Sequence, residues 1–186
     1  MSAGPPLFVA GTSRCALLLS SLRQIGEDDW QRSYVDERSG IVWIRFRLWD
    51  YHGSGPDCLR RGNPDLKQII ETIERSRDVA EIAAAAHFLA NELPGRQENY
   101  EPLLRAMERT EAKPWSVAEA LNVATAIVWS GIDIPFNHRD PNGRSVAEIY
   151  ADFEHFRQLA TRAASLKQRA EALLGRPIER DIRIFD

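Results

Sequence analysis

The chain of 186 residues carries 27 acidic and 24 basic side chains, a formal net charge of −3, with 44% hydrophobic and 27% charged residues. That length suits one domain with its own core, and the balance is not that of a disordered or fibrous chain. So small a net charge excludes a general field for holding DNA or an anionic membrane and leaves only a local basic patch for such a role.

The two cysteines, Cys15 and Cys58, stand far apart with no CxxC spacing, which argues against a disulfide framework or a structural zinc site and for a reducing, cytoplasmic setting. Met1 to Gly11 has no basic leader, and the apolar run Ala16 to Leu19 is too short for a secretion signal or a membrane span. The expected location is the cytoplasm.

In chain order, Ser13 suits the N-cap of a first helix carrying Ala16, Leu17, Leu19, Leu22 and Ile25, with Gly26 as its left-handed end. Residues 30–37 and 41–49 are rich in aromatic and β-branched side chains and are separated by Arg38, Ser39 and Gly40, which predicts a β-hairpin. A loop rich in glycine and proline follows over 50–62. Asn63 with Pro64 then opens a helix, and Asp78 with Glu81, Ser116 with Glu119, and Ser145 with Glu148 have capping-box spacing. Helices are thus predicted at 64–76, 79–92, 101–111, 117–130 and 146–174, the last with an apolar seam at 149, 153, 156, 159, 163, 166, 170 and 173. The tail after Gly175 can add an edge strand through Ile178, Ile182 and Ile184 or lie loosely on the surface.

The expected fold is α+β and mainly helical: an N-terminal helix and hairpin (1–62) packed on a bundle of repeat-like helical pairs (63–175), with a tail (176–186), all in one domain. Asp78, Ala83, Ala85, Phe88 and Pro94 correspond at an offset of 41 residues to Glu119, Ala124, Ala126, Trp129 and Pro135. Stacked helical pairs of the HEAT type have such a period, and a chance match between two alanine-rich helices explains it equally well.

The segment from Ser130 to Tyr150, with Gly131, Asp133, Asp140, Gly143 and Ser145 in the key places, resembles the junction between two ankyrin repeats. It departs from that family where Ser145-Val-Ala-Glu replaces the Thr-Pro-Leu-His helix start, and no second copy lies upstream, so the likeness is to one ankyrin-like corner. What it implies is binding of another protein. As a small acidic chain joining a short β-element to repeat-like helices, the protein also resembles, more loosely, the immunity proteins with which bacteria neutralise toxins.

The second strand is the most informative local feature. Its even positions Val42, Ile44, Phe46 and Leu48 are apolar, while Trp43, Arg45, Arg47 and Trp49 alternate onto the other face. With a two-residue hairpin loop, Tyr34 pairs with Trp43, Arg32 with Arg45 and Trp30 with Arg47. Tryptophan, tyrosine and arginine are the residues of interface hot spots, and they also stack on single-stranded nucleic acid. Trp30, Arg32, Tyr34, Trp43, Arg45, Arg47 and Trp49, with Tyr51 and His52 of the next loop, are therefore the candidate partner-binding residues. The alternative is that helices cover this face and the arginines pair or stack internally.

Other constellations carry less. Gly53 and Gly55 lack the third glycine of a dinucleotide fingerprint, and no Walker pattern is present. His52 near Asp50 and Cys58 fits a turn better than a nucleophile with its base. Glu148, Asp152 and His155 share a helical face but have no second Glu-x-x-His to complete a metal site, and His138 and Ile149 spoil a calcium loop at its first and last positions. His87 beside Phe88 reads as a core or groove residue. The sequence thus predicts a non-enzymatic protein-binding module without cofactor or metal, an immunity protein or inhibitor acting on a toxin or effector by occlusion. The alternatives are a nucleic-acid-associated factor using the tryptophan–arginine face and an enzyme at the 50–58 loop.

Overall fold

β-Branched and aromatic side chains in the first third of the chain build a sheet, and capped amphipathic or alanine-rich segments build helices in the rest. The structure, a computed structural model, describes residues 5–27, 31–48, 55–93, 98–111, 114–135 and 142–185. Among these, six α-helices and a five-stranded antiparallel sheet give an α+β, mainly helical fold. The strands are β1 (Phe8–Ala10), β2 (Arg23–Glu27), β3 (Arg32–Val35), β4 (Val42–Arg47) and β5 (Asp57–Arg61), in the spatial order β1-β5-β4-β3-β2.

The hairpin has the expected register, Tyr34 opposite Trp43 and Arg32 opposite Arg45. Its loop is longer than two residues. Asp36 N–H donates to the Ile41 carbonyl (2.9 Å) and Gly40 N–H to that of Asp36 (2.7 Å), so residues 37–40 form the turn, with Gly40 at φ 71°. An even number of loop residues keeps the same faces together, which is why the pairing survives.

Two expectations for the first 62 residues are corrected. Helix α1 runs only over Thr12–Leu19, starting after Gly11, not at Ser13. Ser20 and Ser21 then turn their hydroxyls back to the Leu17 and Leu18 carbonyls (2.8 Å each). Such local bonds compete with continued helix, and Arg23 to Glu27 instead pair with β3 across a bulge between Gln24 and Gly26. Gly26 is a strand residue, not a helix cap. Within the stretch expected to be loop, Asp57–Arg61 is a strand between β1 and β4. Cys58, Leu59 and Arg60 are buried in a row, as suits a strand covered on both sides, so no alternation betrayed it.

The helices α2 (Leu66–Arg75), α3 (Val79–Asn91), α4 (Tyr100–Glu111), α5 (Val117–Ser130) and α6 (Val146–Leu174) lie within two residues of their expected bounds. Ser116 with Glu119 and Ser145 with Glu148 form complete capping boxes. The cap of α2 is Asp65, boxed with Gln68, and not Asn63. Asp78 caps α3 through Ala80 N–H, while Glu81 turns inward: its carboxylate accepts from the N–H groups of Leu7 (2.9 Å) and Phe8 (3.2 Å) and from the Ser76 hydroxyl (2.7 Å). One side chain thereby ties β1, the end of α2 and α3 together.

Helix α1 packs on one side of the sheet and α3 on the other. Phe8 and Phe46 of the sheet meet Phe88 of α3, with ring centroids 5.6 to 6.2 Å apart. Every residue from Ala80 to Ala90 is buried, because α3 lies between the sheet and α5. The small alanines allow that close approach, and the two alanine-rich helices separated by 41 residues are the two that pack together most extensively. Arg162 of α6 joins α4 by ion pairs to Glu101 (2.6 Å) and Glu108 (2.8 Å). Gly131 and Gly175 close α5 and α6 with φ of 70° and 67°.

The tail is neither an edge strand nor loose. Ile178 and Phe185 are buried, a 3₁₀ turn covers Ile182–Phe185, and the Phe185 ring meets Trp129 edge-on at 5.2 Å. A Cβ on Gly11, whose φ is 106°, would overlap the Phe185 carbonyl oxygen. The residue that joins β1 to α1 is thus in direct contact with the last described element.

Candidate functional site

The odd positions of β4 do share a face with arginines, but the centre of that face is covered. Trp43 is only 4% exposed and, with Tyr34, Val9, Leu59 and Cys15, forms a small second core under Leu18, Leu19 and Leu22. The expectation that the Trp43 indole and the Tyr34 ring stand at the surface is therefore corrected: α1 needs an apolar bed, and these are the bulky side chains beneath it. What is left at the edge is charged. Asp57 accepts from Arg45 (2.5 Å) and Arg47 (3.2 Å), and Arg32 pairs with Glu27 (2.7 Å). Burial alone would raise the Asp57 carboxyl, but the two arginines outweigh it and hold it below the usual carboxylate range. Trp30, Trp49, Tyr51 and His52, like His138 and Asp140, lie outside the described residues. A stacking platform for bases loses two of its rings by this burial.

The remaining candidates have structural occupations. Cys58 is fully buried and its thiol is pushed well up by desolvation, so it presents no ready thiolate. The Cys15 thiol, pushed up to about 12 by burial and then by Asp57, faces the Val9 and Asp57 carbonyls at 3.4 and 3.2 Å. Asp152 is buried and pairs with Arg144, Glu148 serves the α6 cap, and His155 is exposed. His87 lies in the core of α3, where desolvation, helped by Arg180, pulls its imidazole down to about 4.

A different surface stands out. Helix α6 buries Asp152, Phe156, Leu159, Ala163, Leu166 and Ala170 along one side. At spacings of four and three residues, Val146, Tyr150 and Phe153 form a second stripe, 75%, 72% and 46% exposed. At about 100° per residue this stripe lies roughly a third of a turn from the buried seam and faces solvent. The sequence reading placed Phe153 in the seam and passed over Val146 and Tyr150. The 146, 150, 153 spacing beside a seam already complete without Phe153 was the signal that could have found it. Charges border the stripe, with Glu154 and Arg157 paired at 2.8 Å.

Gly131 in the left-handed region lies before residues 136–141, and Gly143 at φ 75° and Ser145 as a boxed cap lie after them; residues 136–141 are outside the described residues. No protein family, no curated protein and no solved structure matches the chain.

Proposed function

We propose that the chain is a protein-binding module whose contact surface is centred on the Val146–Tyr150–Phe153 stripe of α6. The carrying observation is that three large apolar side chains are spent on solvent at helical spacing while the same helix already buries a full seam elsewhere. Exposed apolar stripes rimmed by charge suit a partner that lays a groove or helix over them, with the charges fixing orientation and the ring of Tyr150 serving as anchor. The finer reading, an inhibitor that neutralises a toxin or effector by occlusion, is supported by the resemblance to immunity proteins.

Immobilised chain, challenged with lysate at low and high salt, is expected to retain one protein in stoichiometric amount at both. Replacing Tyr150→Ser together with Phe153→Ser is expected to weaken that capture at least tenfold, since a single aromatic hot spot is worth about 2 kcal/mol or more, with an unchanged circular dichroism spectrum. Capture indifferent to the double substitution overturns the surface, and recovery only of nucleic acid that salt releases overturns the function.

A further inference from the structure

Between the sheet and the end of α3 lies a second feature, independent of the α6 stripe. The guanidinium of Arg60, on β5, is buried, the residue being 5% exposed. Its Nη1 donates to the Gly62 carbonyl and to Asn63 Oδ1 (2.5 Å), and Nη2 reaches Gln31 Oε1 at 3.4 Å. Its Nε has no partner. The plane lies over the Phe88 ring at 5.1 Å. Among the described residues no carboxylate comes within ion-pair distance of it.

Three other part-buried arginines differ. Arg45, Arg144 and Arg162 are all more exposed than Arg60, yet each holds at least one carboxylate. A buried charge left without a counter-charge is among the costlier things a fold can keep. Desolvation draws the Arg60 pKa down, opposed only by the more distant Glu92.

Arg60 lines a cavity of about 250 Å³. Asn63 and Gln31 add polar groups on its side, Phe88, Leu93 and Pro64 form apolar wall, and Glu92, exposed at the end of α3, contributes a carboxylate. The volume suits a small ligand and not a nucleotide or a drug-sized molecule. A guanidinium takes a carboxylate through two parallel N–H donors, and Arg60 keeps donor capacity at Nη2, whose single bond is the long one to Gln31. A dianion in the same space would also face Glu92, whereas a ligand carrying its own cation would use it.

We propose that this cavity binds a small molecule bearing a carboxylate beside a protonated amine, an α-amino acid being the simplest member of the class. The carboxylate meets Arg60, the amine lies toward Glu92, and an apolar side chain rests on Phe88 and Leu93.

The test is an amide chemical-shift titration of the full chain with L-leucine, L-alanine, acetate and inorganic phosphate, each at millimolar concentration. Saturable shifts at residues 60–63, 88 and 92–93 are expected with the amino acids, weaker ones with acetate and weakest with phosphate. Arg60→Met is expected to abolish the shifts while leaving the melting temperature unchanged or higher, because an apolar side chain of similar length replaces an unneutralised buried charge. Glu92→Gln is expected to remove the preference for amino acids over acetate. This exposed substitution also decides the question should Arg60→Met fail to fold. No saturable shift with the unaltered chain, retained binding in a folded Arg60→Met chain, or tighter binding of phosphate than of carboxylates overturns the proposal. If Arg60 were only a structural brace, its loss would lower the melting temperature and the unaltered chain would bind nothing. Because none of these residues belongs to α6, the outcome leaves the capture experiment unaffected.

Discussion

His87 sits in an environment far from that of an ordinary, solvated imidazole. It sits in the middle of a helix buried all round, within 3.4 Å of Asn91 Nδ2, and carries an imidazole whose pKa falls to about 4 by burial and by the Arg180 charge. Because the unfolded chain takes up a proton near pH 6.5 and the folded chain only near 4, stability is full above 6.5 and declines as pH falls from about 6.5 to 4. Denaturant unfolding at pH 7 and pH 5 is expected to show that decline, amounting to at most about 3 kcal/mol over the whole window. In a His87→Gln chain the loss between these pH values is expected to shrink; an equal loss would assign the acid sensitivity elsewhere. The same scale shows why the sequence misled about Trp43. Alternation decides which residues share a face, and it did so correctly for Tyr34, Trp43, Arg32 and Arg45. It does not say whether that face is wet, which depends on where α1 lies.

Among the elements, the helices α2 to α6 and the β3–β4 hairpin were legible, while β1, β2 and β5 were not, for a physical reason. A helix terminus writes its own punctuation: Ser145 and Glu148 satisfy each other's backbone donors within four residues, so the information is local. Ser145→Ala is accordingly expected to cost about 1 kcal/mol in thermal or chemical unfolding, without altering the α6 stripe or its partner capture. A cost near zero would mean that packing along the buried seam alone holds the first turn. By contrast β1 has three residues and β5 is buried on consecutive positions, so their pairing is fixed by neighbours far away in sequence. The end of α1 shows the same limit. Leu22 and Ile25 keep helical spacing, yet β3 offers an edge that Arg23 to Glu27 fill, and tertiary pairing overrides the local pattern. The exposed stripe of α6 was hidden for the opposite reason, since a strong periodic signal for the buried seam absorbed Phe153.

At the scale of the whole molecule, one core runs from Leu7 and Phe8 through α3 and α5 to Phe185. Much of this was legible as a class, an α+β arrangement of a small sheet with capped helices behind it. The docking of the tail was not, because Ile178 and Phe185 are isolated apolar residues in a charged stretch with no period to read. Phe185→Ala is expected to destabilise the chain by about 3 to 5 kcal/mol, the range for removing a buried phenyl ring, and to loosen Trp129, visible as a change in tryptophan fluorescence before global unfolding. Fluorescence and stability both unchanged would show that the tail is not needed for the core.

The contact of Phe185 with Gly11 also sets the order in which the protein can be completed. A ribosome delivers β1 and the start of α1 well before the segment that packs against Gly11. The surface at Gly11 and Trp129 that Phe185 covers must therefore wait, uncovered, while the residues between are made. During that interval the waiting surface is the place where chaperones would be recruited and where premature association between nascent chains would begin.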